Sequence, residues 1–267
     1  MHPSRCFDCH VHAWRPGARF TADLSYMPSR DAPFEQLIAL LDAHDVDGAV
    51  IVQPSFFGTD TTELEHALEA WPDRLRGVAV VPEDVDQDRL SAIRVRGVVG
   101  VRLNLAHAYS PNVASKAFAA FVARVTEAGL HVQVHAQEPG ALLALMPVIE
   151  AAGARLVVDH FGRPAARLGS NDPDWRQLLA YGETGQLYVK LSAPYRLGGQ
   201  PIAPLASYLL DCLGHDRLVW ASDWPWTRFE EGRDYREGLH QLASWFDDDE
   251  TIAAIAAGTP RALYGFA

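Results

Sequence analysis

Residues 98–136, VVGVRLNLAHAYSPNVASKAFAAFVARVTEAGLHVQVHA, decide the fold. A β-branched run at 98–105 leads into apolar residues at three- and four-residue spacing over 113–125: Val113, Phe118, Phe121, Val122 and Val125. Gly129 then marks a helix stop, and a second β-branched run follows at 131–136. Strand, helix, strand is the unit of a parallel sheet with helical crossovers. Outward from this stretch the alternation continues in both directions, with further strands expected at 6–12, 48–56, 76–81, 155–161, 187–193 and 217–224. That makes eight strands, the number that closes a (β/α)8 TIM barrel, and the fold class expected is α/β, a single domain over 1–267. Other helix signals agree: a periodic stretch at 34–45, Asp60 with Glu63 as a capping box, Thr259-Pro260 as an N-cap and first turn, and Gly153 as a stop.

The bulk composition fits one such barrel. The chain has 267 residues and is 48% apolar and 21% charged, a globular composition at a length that α/β barrels commonly reach as one domain. With 23 basic against 34 acidic residues its net charge is −11, which argues against nucleic acid or an anionic membrane as partner and leaves a small-molecule substrate. No apolar stretch is long enough to span a bilayer, and MHPSRCFDCH lacks the apolar core of a secretory signal. Three cysteines, Cys6, Cys9 and Cys212, make no disulfide framework, so a cytoplasmic location is expected. Of the 23 cations only Lys116 and Lys190 are lysines. Nothing in the sequence sets an oligomeric state. The loop at 13–32 is long enough to serve as a lid over the barrel mouth.

In a βα barrel, chemistry gathers at the C-terminal ends of the strands. Strand one ends in His10 and His12, with Asp8 expected on the same face; strand two in Gln53 and Ser55; strand four in Arg102 and Asn104; strand five in Gln133 and His135. His160 and Arg163 follow strand six, Lys190, Ser192, Tyr195 and Arg196 close strand seven, and Asp223 ends strand eight. Seven of eight ends are polar, and separate structural roles for each are a poorer explanation than one site. His10 and His12, two apart on one strand face, have the spacing to share a metal ion, and a carboxylate on strand eight can ligate it and accept a proton from water. Cys6-Phe7-Asp8-Cys9-His10 also matches the C-x-x-C-H haem signature, but strand alternation puts the two cysteines on opposite faces.

Taken together, FDCHVHAW (7–14), GVRLNL (100–105), VVDHFGRP (157–164), VKLSAPYR (189–196), ASDWPW (221–226) and GTPRALYGF (258–266) resemble the amidohydrolase superfamily. They are most similar to its amidohydrolase-2 branch, which includes 2-pyrone-4,6-dicarboxylate lactonase and sugar lactonases. The resemblance implies catalytic roles for His10, His12, His160 and Asp223, with Asp223 as general base toward water. It implies substrate contacts from Arg102, Arg163 and Arg196, with Ser55, Tyr195 and Ser192 nearby. Two positions depart from the lactonase pattern. Ala108, after His107, stands where a further arginine is expected, which argues against the pyrone dicarboxylate itself. His135 stands where metal-binding members carry a ligand, so both a metal-free site and a divalent ion, zinc, on His10, His12, His135 and Asp223 remain open. The function expected is hydrolysis of a lactone on a small carboxylated or hydroxylated molecule. The rivals are a metal-dependent decarboxylase of an aromatic or muconate-type acid, separated by its CO₂ product, and a noncatalytic binder, which has no use for a strand-eight carboxylate beside paired histidines. Trp220 reads as core, the acidic run 247–250 as a helix start, and the role of Lys190 stays open between electrostatic catalyst and buried partner.

Overall fold

The computed structural model describes residues 5–21, 27–28, 30–105 and 111–267. Eight parallel strands follow one another in chain order around a single sheet: β1 (Phe7–Val11), β2 (Gly48–Val52), β3 (Leu75–Ala79), β4 (Val98–Asn104), β5 (His131–His135), β6 (Leu156–Val158), β7 (Leu187–Leu191) and β8 (Leu218–Trp220). The crossovers include α1 (Phe34–Ala43), α2 (Thr62–Ala70), α3 (Gln87–Val95), α4 (Lys116–Glu127), α5 (Pro139–Leu143), α6 (Met146–Ala152), α7 (Pro173–Ala180) and α8 (Ala203–Leu213). After β8 come α9 (Tyr235–Trp245), α10 (Asp249–Ala253) and α11 (Thr259–Tyr264). This is the expected (β/α)8 barrel. No helix among the described residues is long and apolar enough to cross a membrane.

Side-chain alternation sorts the apolar residues into two clusters. The larger lies between sheet and helices and takes in Leu37, Leu41, Phe118, Phe121, Val132, Val158 and Trp220. The smaller fills the barrel bore with Phe7, Cys9, Val50, Val52, Val78, Val157 and Val219, and the chain's end packs onto it through Leu263, Tyr264 and Phe266. Phe266 stacks on Phe7 with ring centroids 4.3 Å apart. The C-terminus therefore closes the bottom of the bore, and the polar strand ends are left at the top.

Strand one breaks strict alternation. Its register against β2 shifts between Asp8 and Val11, so one extra residue sits in β1. Cys9 consequently faces the bore while Val11 faces the helices. Asp8 does not share the face of His10 and His12 as expected: its carboxylate accepts from the backbone N–H of His10 and Ser222 and from the Tyr235 hydroxyl. Cys6 and Cys9 do lie in different clusters, which removes the haem-attachment reading.

Several expected boundaries move for identifiable reasons. Strands six and eight end before the residues expected to do chemistry, because His160 (φ 54°), Phe161 (φ 59°) and Asp223 (φ 62°) adopt left-handed backbone that a strand cannot continue through. Ser55 opens a short 3₁₀ turn after Pro54. The capping box at Asp60 and Glu63 is absent: Asp60 accepts from Thr62, and the Glu63 carboxylate is taken by Arg15. Thr259 is not a cap either, since the helix runs into it through a π-turn at Ala254–Gly258 and its hydroxyl donates to His215 O. Helix α4 begins at Lys116 with Ser115 as its cap, accepting from Phe118 N. Asp248 caps α10, as the acidic run suggests, and Trp220 is buried core.

Candidate active site

The sheet's first and last strands meet without a ladder. Val11 and Trp224 form a single parallel bridge, His12 N donates to Trp224 O (2.7 Å), and Asp223 N donates to His10 O (3.0 Å). The closing seam of the barrel is thus built from the backbone of the residues expected to do chemistry, and closure places Asp223 against His10 and His12.

Asp223 is 1% exposed and uses its two oxygens differently. Oδ2 accepts from the Tyr195 hydroxyl (2.6 Å) and from Arg196 Nε (2.9 Å). Oδ1 has no hydrogen-bond partner among the described residues and lies 3.7 Å from His10 Nε2 and 3.8 Å from His12 Nε2. Burial alone would raise the Asp223 carboxyl, but the Arg196 guanidinium holds it below the usual carboxylate range, so it is ionised.

The histidines around it are neutral. Burial lowers His12 and His160 to about 4, and carries His10 and His135 well below the ordinary imidazole value. The His12 ring sits 2.6 Å from Val52 O through Nδ1. A carbonyl only accepts, so the proton is on Nδ1 and the Nε2 lone pair points at Asp223. His160 Nδ1 lies 2.9 Å from the Ser192 hydroxyl.

His10 Nε2, His12 Nε2 and Asp223 Oδ1 fall within 4.8 Å of one another. Two of these buried atoms, His10 Nε2 and Asp223 Oδ1, lack a hydrogen-bond partner among the described residues. Imidazole nitrogens and a carboxylate oxygen converging with no donor between them fit a divalent ion such as zinc. His135, expected as a fourth ligand, stands apart from this trio: its ring packs edge-on against His160 at 5.3 Å, and its Nδ1 has no partner among the described residues.

Above the trio opens a cavity of about 120 Å³. Of the residues expected in the site, His12, Ser55, Arg102, His135, His160, Arg163, Arg196 and Asp223 line it. His10 is beneath the floor, while Tyr195 and Ser192 support Asp223 and His160 from behind. Arg196 is fixed by Asp223 and Thr227 O and stacked between the rings of Tyr195 and Phe229. Arg163 is partly buried, reaches Arg196 O at 3.4 Å, and forms no ion pair with a carboxylate among the described residues. Gln53 turns out to be a strut, bonding Gly58 O, Asp60 O and Val80 N. His107 and Ala108 lie outside the described residues, as does part of the expected lid. The described part of that loop reaches the mouth, with Thr21 N on Phe56 O and Arg30 on Pro225 O.

Lys190 and Asp159 form the layer below. Lys190, fully buried, donates to Cys9 O and Gln133 Oε1, both at 2.8 Å, and Asp159 Oδ1 is 3.7 Å away. Lys190 is therefore a buried partner of a carboxylate, and burial lowers its amine to about 8. Sequence reading passed over Asp159 because the motif around it points first to His160; its inward parity with Val157 was the available signal. Gln137, Thr227 and Arg228 also line the cavity, from loops beyond any periodic segment.

Comparison with known proteins fits this geometry. The family model for amidohydrolases matches residues 7–266. The chain is an amidohydrolase. The 4-sulfomuconolactone hydrolase of Hydrogenophaga intermedia is 26% identical to it over 275 residues, covering 98% of this chain and 89% of that protein. Among solved structures, a probable 2-pyrone-4,6-dicarboxylic acid hydrolase from Acinetobacter baumannii, with citric acid bound, superposes with a TM-score of 0.91 at 31% identity over 98% of this amidohydrolase and 99% of that chain. A Pseudomonas putida structure carrying the same activity as a provisional name gives a TM-score of 0.90 at 34% identity, over 100% and 99% of the two chains.

Proposed function

We propose that this amidohydrolase opens the lactone ring of a small carboxylated molecule, with Asp223 as the base toward water. One observation carries the reading: the buried, ionised carboxylate of Asp223, whose outer oxygen is clamped by Tyr195 and Arg196 and whose inner oxygen is bare among the described residues, beneath a mouth lined by Arg102, Arg163 and Arg196. The lactone hydrolases among its relatives support it.

Guanidinium groups at the mouth take a substrate carboxylate bidentately and set the lactone carbonyl over Asp223. Water between Asp223 Oδ1 and the imidazole lone pairs gives its proton to Oδ1, and the oxygen adds to the carbonyl. Ser192 can donate its hydroxyl proton to His160 Nδ1, which leaves a proton on Nε2 to stabilise the oxyanion. The ring C–O bond then breaks, and Asp223 returns its proton to the leaving alkoxide. The product is a hydroxy acid that ionises at neutral pH. His10, His12 and Asp223 would hold a divalent ion, which supplies Lewis-acid polarisation when bound.

The products test the proposal. Incubated with a panel of carboxylated five- and six-membered lactones in a pH-stat, the enzyme is expected to release one proton per ring opened and no CO₂. Release of CO₂ from an aromatic or muconate-type acid, with no lactone turned over, would favour the decarboxylase instead.

A further inference from the structure

Beneath the catalytic floor, the bore carries a charged pair, Asp159 and Lys190, that the mechanism above leaves unused. Asp159 is 2% exposed and is surrounded on all sides. Its Oδ1 accepts from Gln133 Nε2 (2.9 Å) and lies 3.2 Å from His10 Nδ1; its Oδ2 lies 3.5 Å from the Arg102 guanidinium. Lys190 completes the layer at 3.7 Å. The Arg102 guanidinium and the Lys190 ammonium thus both face this buried carboxylate.

A neutral imidazole carries one proton on one of two nitrogens, and the partner of one nitrogen decides what the other can do. His10 Nε2 faces Asp223 Oδ1 at 3.7 Å. With its proton on Nε2 the ring would offer a donor to the chamber, and with its proton on Nδ1 it offers a lone pair. Two groups compete for Nδ1: the Asp159 carboxylate at 3.2 Å, which only accepts, and the Lys190 ammonium at 3.4 Å, which only donates. Lys190 already places two protons on Cys9 O and Gln133 Oε1. The carboxylate is nearer, and a hydrogen bond to an ion is the stronger kind.

We infer that Asp159 is a positioning residue that fixes His10 as the Nδ1–H tautomer, so that the Nε2 lone pair faces Asp223 and the reacting water or ion. His12, whose Nδ1–H is fixed by Val52 O, presents Nε2 the same way. The sequence distance between Asp159 and His10 is bridged by the closing of the barrel, and Lys190, Gln133 and Arg102 keep the carboxylate from any other pairing.

The inference builds on the proposed chemistry, but its decisive readout does not require a substrate. Long-range ¹H–¹⁵N spectra of the full-length protein labelled with [¹⁵N]histidine, as purified and after dialysis against a chelator, report the protonated nitrogen of each ring. A His10→Gln variant identifies the His10 signals by their loss. The expected result is a proton on Nδ1 of His10 in the wild type and a shift toward the Nε2–H form in Asp159→Asn. In that variant kcat is expected to fall by about 10- to 100-fold with KM near the wild-type value. A wild-type His10 protonated on Nε2 would overturn the inference, as would His10 signals unmoved in a folded Asp159→Asn protein. Should Asp159→Asn fail to fold, the wild-type spectrum alone decides. Failure of every lactone tested would leave the tautomer measurement intact and would count only against the proposed reaction.

Discussion

Arg163 shows how much a single residue reveals about the ligand. A guanidinium that is partly buried and, among the described residues, reaches only one long backbone contact has lost water without gaining an anion there. Substrate carboxylate completes it in the proposed reaction. Arg163→Met is expected to raise KM for carboxylated lactones by about 10- to 100-fold, the loss of a charge-assisted hydrogen bond worth ~1.5–3 kcal/mol, with kcat changed little. Steady-state kinetics on lactones with and without a carboxylate check this, and an equal effect on both would contradict it. At this scale the sequence was legible where residue types are scarce and chemically loud: His10, His12, His160, Arg196 and Asp223 all arrive at one place. It was illegible for Asp159 and for Gln53, because a buried strut and an active residue share the same inward parity on a strand, and only the partners tell them apart.

Elements position these residues through their ends and irregularities. Period-two reasoning located the strands, yet placed Asp8 on the wrong face, because a one-residue bulge in β1 carries no composition signal. The strands stop early at His160 and Asp223 for a related reason: non-glycine residues in left-handed backbone are invisible to propensity. The β4–β5 pair offers a test of how tightly the bore is packed. A Cβ on Gly100 would lie 2.2 Å from the His131 ring, which is fully buried beside Tyr264. Gly100→Ala is expected to destabilise the fold by about 1–3 kcal/mol, read as a lower thermal midpoint. An unchanged midpoint would mean that the ring has room to move.

As a whole, the molecule buries an unusual set of titratable groups around its closing seam, and its stability should depend on pH accordingly. Buried His12 and His160 titrate at about 4 and His131 at about 3, against 6.5 for an ordinary imidazole, and His10 and His135 are also lowered. Between pH 6.5 and 4 the unfolded chain binds protons that the folded chain refuses, so stability falls as pH drops through that window. Asp8, raised by burial to about 6 from 3.8, acts in the opposite sense between those values, but it is one group against five. Asp223 and Asp159, both lowered, add a loss of stability below their ordinary range. Urea midpoints are expected to fall from pH 7 to pH 4.5, and a pH-independent midpoint would contradict the buried, neutral histidines. The barrel itself was legible because eight repeats of one pattern reinforce each other. The manner of its closure, by a bridge at Val11 and Trp224 instead of a ladder, was not.

The most direct test of the account is the rate of lactone opening by Asp223→Asn measured beside the wild type, with far- and near-UV circular dichroism to confirm the fold. Asparagine keeps the shape of the side chain and removes its capacity to take a proton from water. The account predicts a kcat lower by about 10²–10⁴-fold in a folded protein. A folded variant that opens lactones at the wild-type rate would contradict it.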